Sequence, residues 1–226
     1  MNRTVTFLPG QSSSSRAVVT APIVFVVDDD ISVRESLELL IADGGWRAEL
    51  LASAQEFLAR PRPSGPSCLV LDVRLPDLNG LELQKRIGDE RPEMPIIFIT
   101  GHGDVPMTVQ AMKGGAIEFL TKPFTPEVLI GAIASALIRS RTFLDEQAGL
   151  QALRDRHQSL SRREREVMAL VVQGRLNKLV GSELGISEIT VKAHRGSVMR
   201  KMRASSLPEL VSMAARLGLS AGGPAR

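Results

Sequence analysis

The chain has 226 residues, 43% hydrophobic and 23% charged, with a net charge of +3, so one or two globular domains with their own cores are expected. No apolar run approaches the roughly 18–20 residues of a membrane span, and the start MNRTVTFLPGQSSSSRAVVTAP lacks the apolar centre of a secretory signal, so no membrane partner and a cytoplasmic location are expected. A single cysteine, Cys68, excludes an internal disulfide, and three widely separated histidines with no Cys/His spacing argue against a zinc site.

Residues 1–21, with their serine run, are expected to form a flexible tail. From residue 23 short apolar runs alternate with amphipathic stretches. The runs are 23–27 (IVFVV), 47–51 (RAELL), 67–71 (SCLVL), 95–99 (PIIFI) and 116–120 (AIEFL). Between them lie helix-like segments at 32–43, 54–59, 81–90 and 105–113, and a fifth helix opens near Thr125 with Pro126 in its first turn. Five β–α repeats with near-continuous apolar strands predict a parallel sheet covered on both faces, for which the flavodoxin-like strand order 2-1-3-4-5 is expected. Cys68, inside CLVLD, is expected to be a small buried core residue. The fifth helix is expected to run to about Arg156, with Gly149 and the polar LRDRHQS breaking or fraying it into a linker over 141–159.

From residue 160 the pattern is helical throughout. Ser161 with Glu164 has capping-box spacing, and Gly174 ends that helix. A second helix follows over 177–184, and after the turn containing Gly185 a third begins behind Ser187 as its N-cap. Ser206 with Glu209 opens a fourth. The domain expectation is 22–140 for the α/β part and 160–219 for an all-α four-helix part, with a disordered tail over 220–226.

The two parts have opposite charge. Residues 22–139 carry 17 acidic against 11 basic side chains, and residues 159–226 carry 5 against 12. The first is suited to holding a cation and the second to lying on a polyanion. In doubly wound sheets ligands bind beyond the carboxyl ends of the strands. Those ends hold Asp28 and Asp29 after the first strand, Asp72 after the third, Thr100 after the fourth and Lys122 after the fifth. Three clustered carboxylates stay ionised only with a cation among them. Oxygen ligands without His or Cys favour Mg²⁺. Asp30 is expected instead to cap the helix beginning at Ser32, and His102 to be an exposed loop residue.

VVDDD, LDVRLPDLNG, ITGHGD and FLTKPF resemble, in order and spacing, the receiver domain of bacterial two-component response regulators. The resemblance implies that Asp72 is the phosphoryl acceptor, helped by Thr100 and Lys122. It implies Mg²⁺ ligands in Asp29, Asp28, Asp72 and the backbone carbonyl of Arg74, and a cis Lys122–Pro123 bond. Phe119, a core residue in either case, would act with Thr100 as the switch. The family often has Tyr at position 119, so any hydrogen bond made by that hydroxyl is absent here. Haloacid-dehalogenase-type enzymes carry a second Asp two residues after their nucleophile. Arg74 stands there in this chain, so no enzyme turning over on Asp72 is expected.

LSRREREVMALVVQG, NKLVGSELGIS, EITVKAHRGSVMRKM and SLPELV resemble the four-helix LuxR-type helix-turn-helix of NarL/FixJ-family regulators, FixJ-type members above all. The third of these helices would lie in the major groove of DNA. Lys192, Ala193 and Gly196 match the base-facing positions. Thr190, His194, Arg195, Arg200 and Lys201 are expected to add phosphate or nearby base contacts. Leu179, Val180 and Gly181 depart from the family's usual Glu, Ile and Ala. The expectation is thus a transcriptional response regulator. A sensor histidine kinase would phosphorylate it, and phosphorylation would make it a homodimer on double-stranded promoter DNA. It would act as an activator, with RNA polymerase a further partner. A constitutive DNA-binding protein with an unphosphorylated receiver is the alternative, and only an acyl-phosphate assay separates the two.

Overall fold

A computed structural model describes residues 21–219, and the expected tails over 1–20 and 220–226 lie outside that range. The chain divides into two compact units between Arg141 and Thr142.

In the first unit, β1 (Ile23–Val27), β2 (Arg47–Leu51), β3 (Ser67–Asp72), β4 (Ile96–Thr100) and β5 (Glu118–Thr121) alternate with α1 (Ile31–Asp43), α2 (Ala54–Leu58), α3 (Gly80–Glu90), α4 (Val105–Lys113) and the start of α5 (Pro126–Gln158). All four strand pairings are parallel, in the order β2-β1-β3-β4-β5, the flavodoxin-like topology read from the sequence. Asp72 and Thr100 end their strands, each one residue beyond the expected run.

Alternation along each strand builds two cores. Phe25, Val27, Leu69, Leu71 and Phe98 face one way, onto Phe57 of α2 and Leu83 and Ile87 of α3. Val24, Val26, Cys68, Val70, Ile97 and Ile99 face the other, onto Leu37 and Ile41 of α1 and Leu129 and Ile133 of α5. Cys68 is fully buried, as expected, and burial pushes its thiol up to about 12, leaving it inert.

The expected break near Gly149 does not occur, because α5 is continuous to Gln158. One interior glycine costs a helix only about 1 kcal/mol relative to alanine. Beyond it Gln151 Nε2 donates to Asp155 Oδ1 at 2.8 Å, and Leu153 is buried in the core of the second unit.

That second unit adds α6 (Arg162–Val171), α7 (Asn177–Leu184), α8 (Glu188–Met202) and α9 (Leu207–Arg216). The N-caps at Ser161, Ser187 and Ser206 form as expected, and Ser161 with Glu164 makes the full reciprocal capping box. The α7–α8 turn passes through Gly185 at φ 67°. Gly181 explains its own departure from Ala, since a Cβ there would lie 2.7 Å from the Ile186 carbonyl oxygen. No helix among the described residues is long and apolar enough to cross a membrane.

Ser161→Ala removes the acceptor for the Glu164 N–H and is expected to destabilise the second unit by about 0.5–2 kcal/mol. Urea unfolding of the full chain checks this, with Ser161→Thr expected to recover most of the loss.

Candidate functional site

The carboxyl ends of β1, β3 and β5 lie side by side in the sheet order or one strand apart, and this brings their polar residues together. Carboxylate oxygens of Asp28, Asp29 and Asp72 all lie within 4.8 Å of one another. Lys122 Nζ is 2.6 Å from Asp28 Oδ2 and 3.8 Å from Asp72 Oδ2. Asp28 is fully buried; its Oδ1 accepts from the Asp30 N–H at 3.0 Å and its backbone carbonyl from Arg34 Nη1 at 2.7 Å. Asp29 is exposed and makes no hydrogen bond among the described residues. Asp30 turns away to cap α1, accepting from the Ser32 N–H at 2.8 Å, as its position predicts.

Asp72 is 9% exposed. Burial, reinforced by the negative charge of Asp28, holds its carboxyl above the ordinary range. The Lys122 ammonium and the backbone N–H groups of Arg74 and Val73 oppose this without cancelling it. The donor set suits a hard divalent cation, because three oxygen ligands converge with no soft ligand among them and carry more negative charge than one ammonium offsets.

Thr100 is buried, its Oγ1 accepting from the His102 N–H at 3.3 Å, while its carbonyl accepts from the Lys122 N–H at 2.7 Å. Phe119 is half-buried rather than a full core residue. Its ring lies 6.0 Å from that of Phe98 and against the backbone of Gly103, where a Cβ would come within 2.9 Å. The Lys122–Pro123 bond is cis, and His102 is exposed.

Two supports were not visible in the motifs. Gly80 opens α3 so close to the acidic loop that a Cβ would lie 2.5 Å from the Asp72 carbonyl oxygen. Asp77 reaches from the β3–α3 loop to the start of α2, accepting from the Ala54 and Gln55 N–H groups at 3.3 and 2.9 Å. Its position after Pro76 signals a turn, but not a partner 22 residues upstream.

In the second unit Val191, Val198 and Met202 of α8 are buried, as expected, leaving Lys192, Ala193, Gly196 and Arg200 exposed. Lys192 Nζ pairs with Glu188 at 3.0 Å, both side chains being well exposed. Arg195 Nη1 donates to Asn177 Oδ1 at 3.3 Å, and Arg200 Nη2 to Ser197 Oγ at 3.3 Å. His194 is half-buried, and the Thr190 hydroxyl shares a 2.8 Å hydrogen bond with Ser187. Lys201, expected among the DNA-facing cations, is also tied to the protein itself. Its ammonium is held by Glu164 at 2.7 Å and faces the Ser159 carbonyl at 3.4 Å. That ammonium and the Ser161 backbone N–H keep Glu164 below the usual carboxylate range. Capping-box spacing finds Glu164, but its partner 37 residues away has no local signal.

Residues 24–134 match the family described as response regulator receiver domain, and residues 158–214 the one described as bacterial regulatory proteins, luxR family. The chain belongs to the response regulators that join a receiver to a LuxR-type helix-turn-helix, a family of DNA-binding transcription regulators and not of enzymes. Among its relatives, nodulation protein W of Bradyrhizobium diazoefficiens is 50% identical over 94% of this chain and 93% of that protein. The transcriptional regulatory protein FixJ of Rhizobium meliloti is 44% identical over 84% of this chain and 94% of that one. The solved structure of response regulator StyR has a TM-score of 0.79 at 44% identity, covering 87% of this chain and 99% of that one.

A carboxyl raised by burial contributes stability in full below its unfolded pKa and loses it as pH rises through the folded value. Ionised Asp72 is therefore a net cost near neutrality. Asp72→Asn is expected to raise the metal-free unfolding midpoint at pH 7, with the gain fading below about pH 4, where the wild-type carboxyl is protonated in both states. Thermal unfolding in chelator across this pH range checks it.

Proposed function

We propose that Asp72 is the phosphoryl acceptor of a cytoplasmic two-component pathway and that its modification drives dimerisation and promoter binding. The observation that carries this reading is the convergence of Asp28, Asp29, Asp72 and the Lys122 ammonium at the strand ends. An Asp72 carboxylate oxygen attacks phosphorus as the P–N bond of the kinase phosphohistidine breaks. The phosphoryl group moves to the carboxylate and the imidazole leaves. Asp28, Asp29, Asp72 and the Arg74 backbone carbonyl would hold Mg²⁺, which when bound neutralises charge on the phosphoryl oxygens. Lys122 supplies a compact cation to the same oxygens and the Thr100 hydroxyl donates to another. Phe119 then follows Thr100 inward.

Residues 22–140 are the receiver on this reading, 141–159 the connecting helical stretch and 160–219 the DNA-binding domain. The first turns of α8 enter the major groove, with Lys192, Ala193 and Gly196 toward base edges and Thr190, His194, Arg195 and Arg200 toward phosphates or neighbouring bases. Lys201, which Glu164 holds at 2.7 Å, would contribute its charge toward phosphates from the far end of α8. The phosphorylated dimer acts as an activator, with RNA polymerase as a further partner.

With acetyl phosphate and Mg²⁺, the wild type is expected to gain a labile phosphoryl adduct, to dimerise and to tighten on its promoter. Asp72→Asn is expected to do none of these, and equal promoter affinity for this variant and phosphorylated wild type would defeat the reading. Lys192→Ala is expected to keep the adduct while weakening a nuclease footprint on the promoter. An unaltered footprint would remove α8 from the groove.

A further inference from the structure

The inward face of α8 fixes the outward one. With Val191, Val198 and Met202 buried, helical periodicity turns Ile189, Ala193, Gly196 and Arg200, at i, i+4, i+7 and i+11, to the opposite side, with Lys192 beside them. Ile189 stands in the first turn of α8 and is 79% exposed, the highest value among the large apolar side chains described. Gly196 points the same way. A Cβ there would meet nothing within 4 Å, so the protein's own packing does not call for glycine. Glycine is nevertheless the poorer helix former, and a small residue at that position is useful against something outside the chain.

Ile189, Ala193 and Gly196 thus form a narrow apolar strip. The acidic residue of α8, Glu188, is paired with Lys192 at 3.0 Å. Lys192 flanks the strip and Arg200 closes its far end, both exposed and positively charged. An apolar strip edged by cations complements the floor of the major groove, where the apolar group offered by a base edge is the 5-methyl of thymine and phosphates line both rims. An apolar protein surface would leave those bordering cations without partners.

We infer that Ile189 is a specificity-determining residue whose branched side chain packs on a thymine 5-methyl group under the first turn of α8. The inference rests on the proposed seating of α8 in the groove and adds a residue and a base to it.

The test uses the full-length protein, phosphorylated with acetyl phosphate and Mg²⁺, and a duplex it recovers from a randomised pool. Each thymine is replaced in turn by deoxyuridine, which deletes only the 5-methyl group. At one thymine the wild type should lose about fourfold in affinity, the worth of one buried methyl group. Ile189→Ala should bind both duplexes equally at that thymine and keep its sensitivity elsewhere, and Ile189→Val should retain part of the discrimination. Identical uridine profiles for wild type and Ile189→Ala overturn the inference. So does unchanged DNA affinity of Ile189→Ala combined with lost transcription activation, which would place a polymerase contact there. Lys192→Ala separates the two levels. If it weakens binding while Ile189→Ala keeps the wild-type profile, Ile189 alone fails; if neither variant alters binding, the groove seating fails.

Discussion

Lys122 holds the acidic pocket together. Its ammonium lies 2.6 Å from a carboxylate with no exposure to speak of and 3.8 Å from a second that is nearly buried. Removing Lys122 would leave the buried Asp28 carboxylate without its counter-charge, at a cost of about 3–5 kcal/mol. Both ends are therefore braced. The Lys122 backbone N–H donates to the Thr100 carbonyl at the end of β4, and Asp28 is fixed by the Asp30 N–H and the Arg34 guanidinium. The bracing comes from two strands and a helix start, so the sheet fixes the backbone positions from which the two charges meet.

The same sheet decides how far Asp72 is exposed. Leu69 and Leu71 bury one face of β3 and Cys68 and Val70 the other, so the strand carries its terminal carboxylate to the edge of water and no further. Partial desolvation raises the proton affinity of that oxygen. The loop beyond it is restrained twice, by the close approach of Gly80 and by the grip of Asp77 on the start of α2. Rigid placement of a charged group means that its surroundings need not reorganise to meet a ligand.

Local chemistry and the gathering of strand-end residues were legible in the sequence, and pairings outside that pattern were not. IVFVV and SCLVL read as strands because both faces of a parallel sheet are apolar, and Asp28, Asp72 and Thr100 followed as strand-end residues. Asp30 and Ser161 were separable as caps because capping acts over two or three residues. Gly149 misled because a glycine within a helix signals weakness but not how much the neighbours offset it, and here Leu153 is buried just beyond. The partners of Asp77 and Lys201 were missed for one reason. Each binds a partner 22 or 37 residues away, and a turn residue or a basic helix looks the same with or without such a partner.

Counting cations in the second unit therefore overstates what is free to meet DNA, and burial decides which remain. The Lys192–Glu188 pair has side chains 62% and 47% exposed, and i,i+4 pairs of that kind are worth only about 0.3–0.5 kcal/mol. Lys192 can leave Glu188 for a phosphate or a base at little cost. Glu164, whose side chain is 8% exposed, depends on Lys201 and on the Ser161 N–H at once. Withdrawing Lys201 would strand a nearly buried carboxylate and loosen the cap of α6 together. Two lysines nine residues apart on one helix thus differ in how firmly the protein itself holds them.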